Sequence, residues 1–142
     1  SEMCIRDRDI TMAMNGAIAG LVAITAAPSA PTAGAALMIG AVGGIIVYFS
    51  ILILDRRFGI DDPVGAISAH GVVGIWGVMA VCFTGGSLVS QFVGVLAISG
   101  FTYGMSLLTI LFIDRFIPIR ATDEEQELGL DVTETGVKST SY

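Results

Sequence analysis

The chain has 142 residues, of which 54% are hydrophobic and only 14% are charged, and its mean hydropathy is +0.80. Residues 121–142 hold six acidic residues and one lysine, so this segment carries most of the net charge of −6. The composition excludes a soluble globular domain and indicates helices in a lipid bilayer, and without a basic stripe there is no sign of a nucleic-acid partner.

Residues 1–9 are rich in charge and follow no hydrophobic period. They lack the apolar middle and the small-residue cleavage site of a signal peptide. We therefore interpret them as foreign sequence and leave them out of the predicted fold.

Four uncharged apolar stretches follow, each close to the roughly 20 residues that a helix needs to cross a hydrocarbon core of about 30 Å. Prolines, charged residues or glycines separate them. They predict an all-α, polytopic membrane protein with four transmembrane helices. The predicted transmembrane domain covers residues 10–115, with helices at 10–27, 33–54, 64–83 and 88–113, and a tail follows at 116–142.

The arginines predict the orientation of these helices. Arg56 and Arg57 lie in the second connection, and Arg115 and Arg120 follow the fourth helix. Connections that are rich in Lys and Arg face the cytoplasm. We therefore expect a multi-pass protein of the inner or plasma membrane, with its C-terminal tail in the cytoplasm.

Small residues recur at every fourth position in the first two helices. Gly16 and Gly20 are one turn apart in the first helix, and Ala36, Gly40 and Gly44 form a similar series in the second. This spacing lets helix backbones approach closely in a membrane. We expect these glycines, and Gly74 in the third helix, to pack helices together, and we assign them no chemistry.

The segment Asp61, Asp62 and Pro63 predicts the start of the third helix. An aspartate at the N-cap accepts hydrogen bonds from exposed backbone amides, and proline is tolerated in the first turn. Asp62 is the predicted cap and Asp61 an interfacial charge. A functional role for either residue stays open.

His70 is the only histidine of the chain. It follows Asp62 by eight residues, or about 12 Å along a helix that starts there, which is near the middle of the hydrocarbon core. An ionisable side chain at that depth is by default a functional candidate. Ala66 and Gly74 lie one turn to either side, and both are small. The space beside the ring suits either a narrow path for a small solute or a crossing helix to which His70 forms a hydrogen bond.

Other kinds of chemistry are not supported by the pattern. No second histidine, carboxylate or thiolate lies at ligand spacing from His70, and the only cysteines, Cys4 and Cys82, form neither a disulfide framework nor a zinc pattern. The apolar stretches contain no carboxylate that could orient a nucleophile and its base. We predict no metal, no cofactor and no enzymatic activity.

The tail has local order of its own. Thr122 and Glu125 have the spacing of a capping box, which predicts a short helix, and Gly129 is expected to end it. Without further information, a solvated acidic tail is an equally good interpretation.

Four segments, taken in chain order, resemble the ammonium transporter family. The third carries Asp-Asp, a short spacer and His-Gly. Together the segments cover about residues 12–134. They are Asn15 to Thr25, Gly34 to Gly44, Asp61 to Gly74 and Thr122 to Asp131, which are similar to that family's eighth, ninth and penultimate helices and to its cytoplasmic tail.

The resemblance implies a homotrimer of eleven-helix protomers, each with its own narrow hydrophobic pore for ammonium or ammonia. The chain would supply helices eight to eleven and the tail, and we expect such a fragment not to conduct alone. His70 would correspond to the second of two pore histidines, which relay a proton while ammonia passes. In the family the tail responds to the PII signal protein, and Gly129, Leu130 and Asp131 match the tail motif.

Two other functions are compatible with the sequence. One is a complete small four-helix membrane exporter in which His70 binds protons or drugs. The other is an ammonium sensor of the same fold that signals through its tail, for which a folded output domain beyond residue 142 is expected.

Overall fold

The computed structural model describes residues 10–60, 62, 64–117 and 119–129. Every regular element among these residues is helical, which confirms the all-α prediction. The chain divides into two compact units, Ser1–Ala97 and Ile98–Tyr142.

The first unit begins with two helices, α1 (Ile10–Ala23) and α2 (Ala33–Ile53). The hydroxyl of Thr32 caps α2 by accepting a hydrogen bond from the amide of Ala35 at 3.3 Å. A wider, π-helical turn, Leu54–Phe58, continues α2. Gly59, with φ of 61°, ends it, because glycine adopts the left-handed conformation without a steric cost.

The third apolar segment changes its helical type twice. A π-helical turn, Ile67–Val72, which we call the His70 turn, leads into α3 (Val73–Ala80). A 3-10 turn, Val81–Thr84, then ends the segment. Together they form one apolar span of 18 residues, Ile67–Thr84.

The long helix α4 (Leu88–Asp114) buries none of its 27 residues. In the second unit, α5 (Asp123–Leu128) confirms the predicted capping box. The Thr122 hydroxyl accepts from the amide of Glu125 at 3.3 Å, and the Glu125 carboxylate accepts from the amide of Thr122 at 2.8 Å. Gly129, with φ of 94°, follows the last residue of this helix, as predicted.

Among the described residues, three helices are long and apolar enough to cross a membrane: Ala33–Phe58, Ile67–Thr84 and Leu88–Asp114. The first predicted helix, 10–27, is shorter than expected, since α1 ends at Ala23. The reason is local, because both the amide and the hydroxyl of Thr25 donate to the carbonyl of Val22, which tightens the chain into a turn before Pro28.

The core lies where α1, α2 and α3 meet. Trp76 of α3 adds a hydrogen bond to this contact, with its indole N–H donating to the carbonyl of Ile39 at 3.1 Å. Apart from Ile39, the buried apolar side chains are alanines and valines, which lets the helix backbones lie close together. They are Ala19, Ala23, Ile39, Val47, Ala69, Val73 and Ala80.

Candidate functional site

The glycines at the α1–α2 contact show that the two helices run antiparallel. A Cβ built on Gly40 would lie 3.3 Å from the carbonyl oxygen of Gly20, and one on Gly44 would lie 3.8 Å from that of Gly16. A Cβ on Gly74 would meet no described atom within 4 Å, and the same holds for a Cβ on Gly16. A side chain at Gly74 would therefore contact no neighbouring described helix.

The tightest helix contacts involve two glycines that the sequence reasoning missed. A Cβ on Gly43 would lie 2.8 Å from the Cβ of Ala23, and one on Gly77 would lie 2.8 Å from the carbonyl oxygen of Ala23. Ala69, Val73 and Gly77 recur at four-residue spacing in the sequence, but only the structure shows that all three are buried. The rotation of a helix about its axis decides which of its glycines faces the neighbouring helix.

His70 lies in the π-helical part of the third span, with its side chain exposed. Its neighbours Ser68 and Ala69 are buried, at 0% and 1% exposure. The two buried residues therefore face the core between α1, α2 and α3, while His70 lies on the outside of this core. Wide turns of this kind are rare in proteins and are frequently found at functional sites.

Asp62 holds the start of the His70 turn. One carboxylate oxygen accepts from the amide of Ile67 at 3.1 Å and the other from the amide of Ser68 at 2.9 Å. An N-cap normally bonds to amides two or three residues ahead. Asp62 therefore caps this helix from an unusual distance of five and six residues.

The helix begins later than the sequence predicted. The amide of Gly65 donates to the carbonyl of Asp62 at 2.9 Å, and Gly65 has φ of 68°, so the chain before Ala66 forms a turn instead of a helix. The count of eight helical residues from Asp62 to His70 therefore does not apply, since His70 is only the fourth residue of the His70 turn. Pro63 and Asp61, the other predicted residues of this start, lie outside the described residues.

Gly65 is also confined by its surroundings. A Cβ there would lie between 2.7 and 2.9 Å from three side-chain atoms of Asn15 in α1. The left-handed backbone favours glycine, and a Cβ would also force the side chain of Asn15 to move. The turn before the His70 turn is thus packed against α1.

A pair of hydroxyls joins the His70 turn to α2. The hydroxyl of Ser50 donates to that of Ser68 at 3.1 Å, and both residues are buried. The hydroxyl of Ser68 also contributes a hydrogen bond to Asp62. The sequence reasoning missed this arrangement, because serines 18 positions apart show no pattern in a sequence.

The surroundings of Asp62 act on its pKa in opposite directions. Partial burial acts to raise the pKa, whereas the hydrogen bonds from the amides of Ser68 and Ile67 act to lower it. Together the hydrogen bonds outweigh burial, and the pKa lies below its usual value of 3.8. Asp62 is therefore ionised near neutral pH.

The remaining predicted residues lie elsewhere. Gly129 belongs to the second unit, and Leu130 and Asp131 are outside the described residues. Within the part of the chain that the structure describes, no group of three or more His, Cys, Asp or Glu side chains could hold a metal ion.

The apolar helical spans and the bundle of α1, α2 and α3 define a multi-pass membrane protein. The family model described as "Ammonium Transporter Family" matches residues 5–140, and the chain belongs to this family. The match includes residues 5–9, which fall inside the segment that we interpreted as foreign.

Several curated relatives are similar to the chain. It is 35% identical to the "Ammonium transporter" of Bacillus subtilis, an alignment that covers 89% of the chain and 36% of that relative. It is 32% identical to "Ammonium transporter Amt2" of Archaeoglobus fulgidus, covering 89% of the chain and 31% of the relative. It is 36% identical to "Ammonium transporter Amt1" of Haloferax mediterranei, covering 87% and 25%. The chain thus spans about a third or less of the length of these relatives. No solved structure shows a significant match.

Proposed function

We propose that this chain is part of a protein that conducts ammonia or ammonium across a membrane, and that His70 lies in the conduction path. Family membership supports transport. The observation that carries the role of His70 is its exposure beside two buried neighbours within an apolar span of 18 residues. In a membrane, an ionisable side chain in such a place lies in a polar path or against another polar group.

The chemistry of the solute favours a histidine here. Bare ammonium would lose its hydration shell in a dry pore at a large free-energy cost, whereas neutral ammonia and a separately transferred proton avoid most of that cost. An imidazole has two distinct nitrogens, so it can accept a proton on one side and release one on the other. His70 would relay the proton together with a second histidine from another part of the protein.

The proposal extends to assembly and orientation. The complete protein would be a homotrimer of eleven-helix protomers, and this chain would not conduct alone because half of the relay lies elsewhere. Arg56 and Arg57 after α2, and Arg115 and Arg120 after α4, support a cytoplasmic C-terminus.

The tail would bind a regulatory partner. We assign Gly129, Leu130 and Asp131 to contact with the PII signal protein at the cytoplasmic face. The capping box of α5 supports this role, because it gives the segment before Gly129 a defined helical shape that a partner can recognise.

Uptake of labelled methylammonium by cells that express the full-length parent protein tests the proposal. We expect uptake by the parent and a changed or abolished uptake by His70→Ala. Val64→Ala is the matched control, because Val64 is an exposed side chain just before the same span. A parent that inserts correctly but takes up no methylammonium would instead favour an ammonium sensor of the same fold.

A further inference from the structure

The His70 turn is attached at its start to a carboxylate that the proposed proton relay does not use. The two carboxylate oxygens of Asp62 accept hydrogen bonds from the amides of Ile67 and Ser68, at 3.1 and 2.9 Å. The first amides of a helix have no partner within the helix, so an external acceptor stabilises them. Because both oxygens are engaged, the carboxylate restrains the direction and the rotation of this first turn.

A second attachment comes from α2. Ser68 is fully buried, and its hydroxyl accepts a hydrogen bond from the hydroxyl of Ser50 at 3.1 Å. Buried hydrogen bonds of this kind favour one arrangement of the groups they join. Ser68 is thus held through its amide by Asp62 and through its side chain by α2.

The position of His70 depends on this segment keeping its wide form. His70 follows Ser68 by two residues in a π-helical turn, which contains more residues per turn than the α-helix that follows it. Conversion to a regular α-helical turn would change the register by about one residue, which corresponds to about 100° of rotation about the helix axis. The imidazole would then leave its present side of the helix.

We infer that Asp62, together with the Ser50–Ser68 pair, is a positioning group for His70, holding the His70 turn in the register that keeps the imidazole on the outside of the α1–α3 core. The inference rests on the proposed function for the effect on transport, but the geometry of the turn does not depend on it.

Transport by variants of the full-length parent tests the inference. Asp62→Ala removes both acceptor oxygens, whereas Asp62→Asn keeps one, and Asp55→Asn is the matched control at an exposed aspartate in the turn after α2. We expect the maximal methylammonium uptake, per inserted protein, to fall by up to about 100-fold in Asp62→Ala and by less in Asp62→Asn, with the half-saturating concentration unchanged. Asp55→Asn should match the parent.

Two further measurements separate positioning from a general loss of folding. Asp62 and His70 act on the same step of transport in this proposal. Asp62→Asn should therefore cause no further loss of uptake in a protein that already carries His70→Ala. In protein labelled at the histidine ring nitrogens, the NMR signal that disappears in His70→Ala should shift in Asp62→Ala and stay in place in Asp55→Asn.

The possible failures can be told apart. If the parent takes up methylammonium and Asp62→Ala keeps both the rate per inserted protein and the position of the His70 signal, the inference is wrong. If the parent takes up none, the proposed function fails. The NMR comparison then still decides whether Asp62 positions His70.

Discussion

The hydroxyl of Ser50 lies 3.1 Å from the hydroxyl of Ser68, and this buried hydrogen bond joins α2 to the His70 turn. Two polar groups in an otherwise apolar contact stabilise it only as a pair, because each would be unsatisfied without the other. The bond therefore specifies how the third span is rotated against α2.

Ser50→Ala and Ser68→Ala should each destabilise the parent protein, and the double variant should lose less than the sum of both. We expect a coupling energy of about 0.6 kcal/mol and at most about 1.7 kcal/mol, as for other hydrogen bonds between membrane helices. The coupling energy follows from the free energies of unfolding in mixed detergent micelles, measured for the parent, the two single variants and the double variant. Simple additivity would show that the two hydroxyls do not interact.

Gly77→Ala should destabilise the helix bundle, whereas Gly20→Ala should not. A Cβ on Gly77 would lie 2.8 Å from the carbonyl oxygen of Ala23 and 3.2 Å from two further backbone atoms, which cannot move without shifting α1. The cost should be about 1–3 kcal/mol. At Gly20 the nearest atom, the carbonyl oxygen of Gly40, is 3.7 Å away, which is an ordinary contact. Equal effects in the same unfolding measurement would contradict the observed packing.

The hydrogen bonds to Asp62 should make the start of the His70 turn sensitive to acid. Burial acts to raise the pKa of Asp62, but the amides of Ser68 and Ile67 outweigh it and the pKa lies below 3.8 in the folded protein. Because the folded pKa is the lower one, this stabilisation is fully present above 3.8 and is lost as the pH falls through the folded value. The protection of the Ile67 and Ser68 amides against hydrogen exchange, corrected for the intrinsic exchange rate at each pH, should fall over the same pH range. Loss of protection already near neutral pH would rule out the carboxylate as their acceptor.

The capping box of α5 predicts a similar acid effect in the tail. The Glu125 carboxylate accepts hydrogen bonds from the amide of Thr122, which has the larger effect, and from its hydroxyl. Both lower the pKa of Glu125 below its usual 4.5. The cap is thus intact above that value, and it weakens as the pH falls through the folded pKa. Chemical shifts of the tail amides should report fraying of α5 in this range, and Thr122→Ala should produce fraying at neutral pH. Unchanged shifts in that variant would contradict the cap.

Features that depend on neighbouring residues were predicted well. The capping box requires Thr122 and Glu125 three positions apart, and the structure contains it. The long apolar helices α2 and α4 lie close to their predicted ranges, because a continuous run of apolar residues is enough to predict a span. The start of the third helix was harder to predict. Gly65, three residues after Asp62, turns the chain, so the helix begins only at Ala66.

The amino-acid sequence by itself determined the class of protein, the helical architecture and the candidate histidine, since hydrophobicity and local hydrogen bonding are properties of contiguous residues. Only the tertiary structure decided that Gly77, and not Gly74, meets α1, and that Ser50 and Ser68 share a hydrogen bond. Such contacts depend on how each helix is rotated against its neighbours. Adjacent residues in a helix point about 100° apart, so a spacing pattern narrows the choice of face but does not select it.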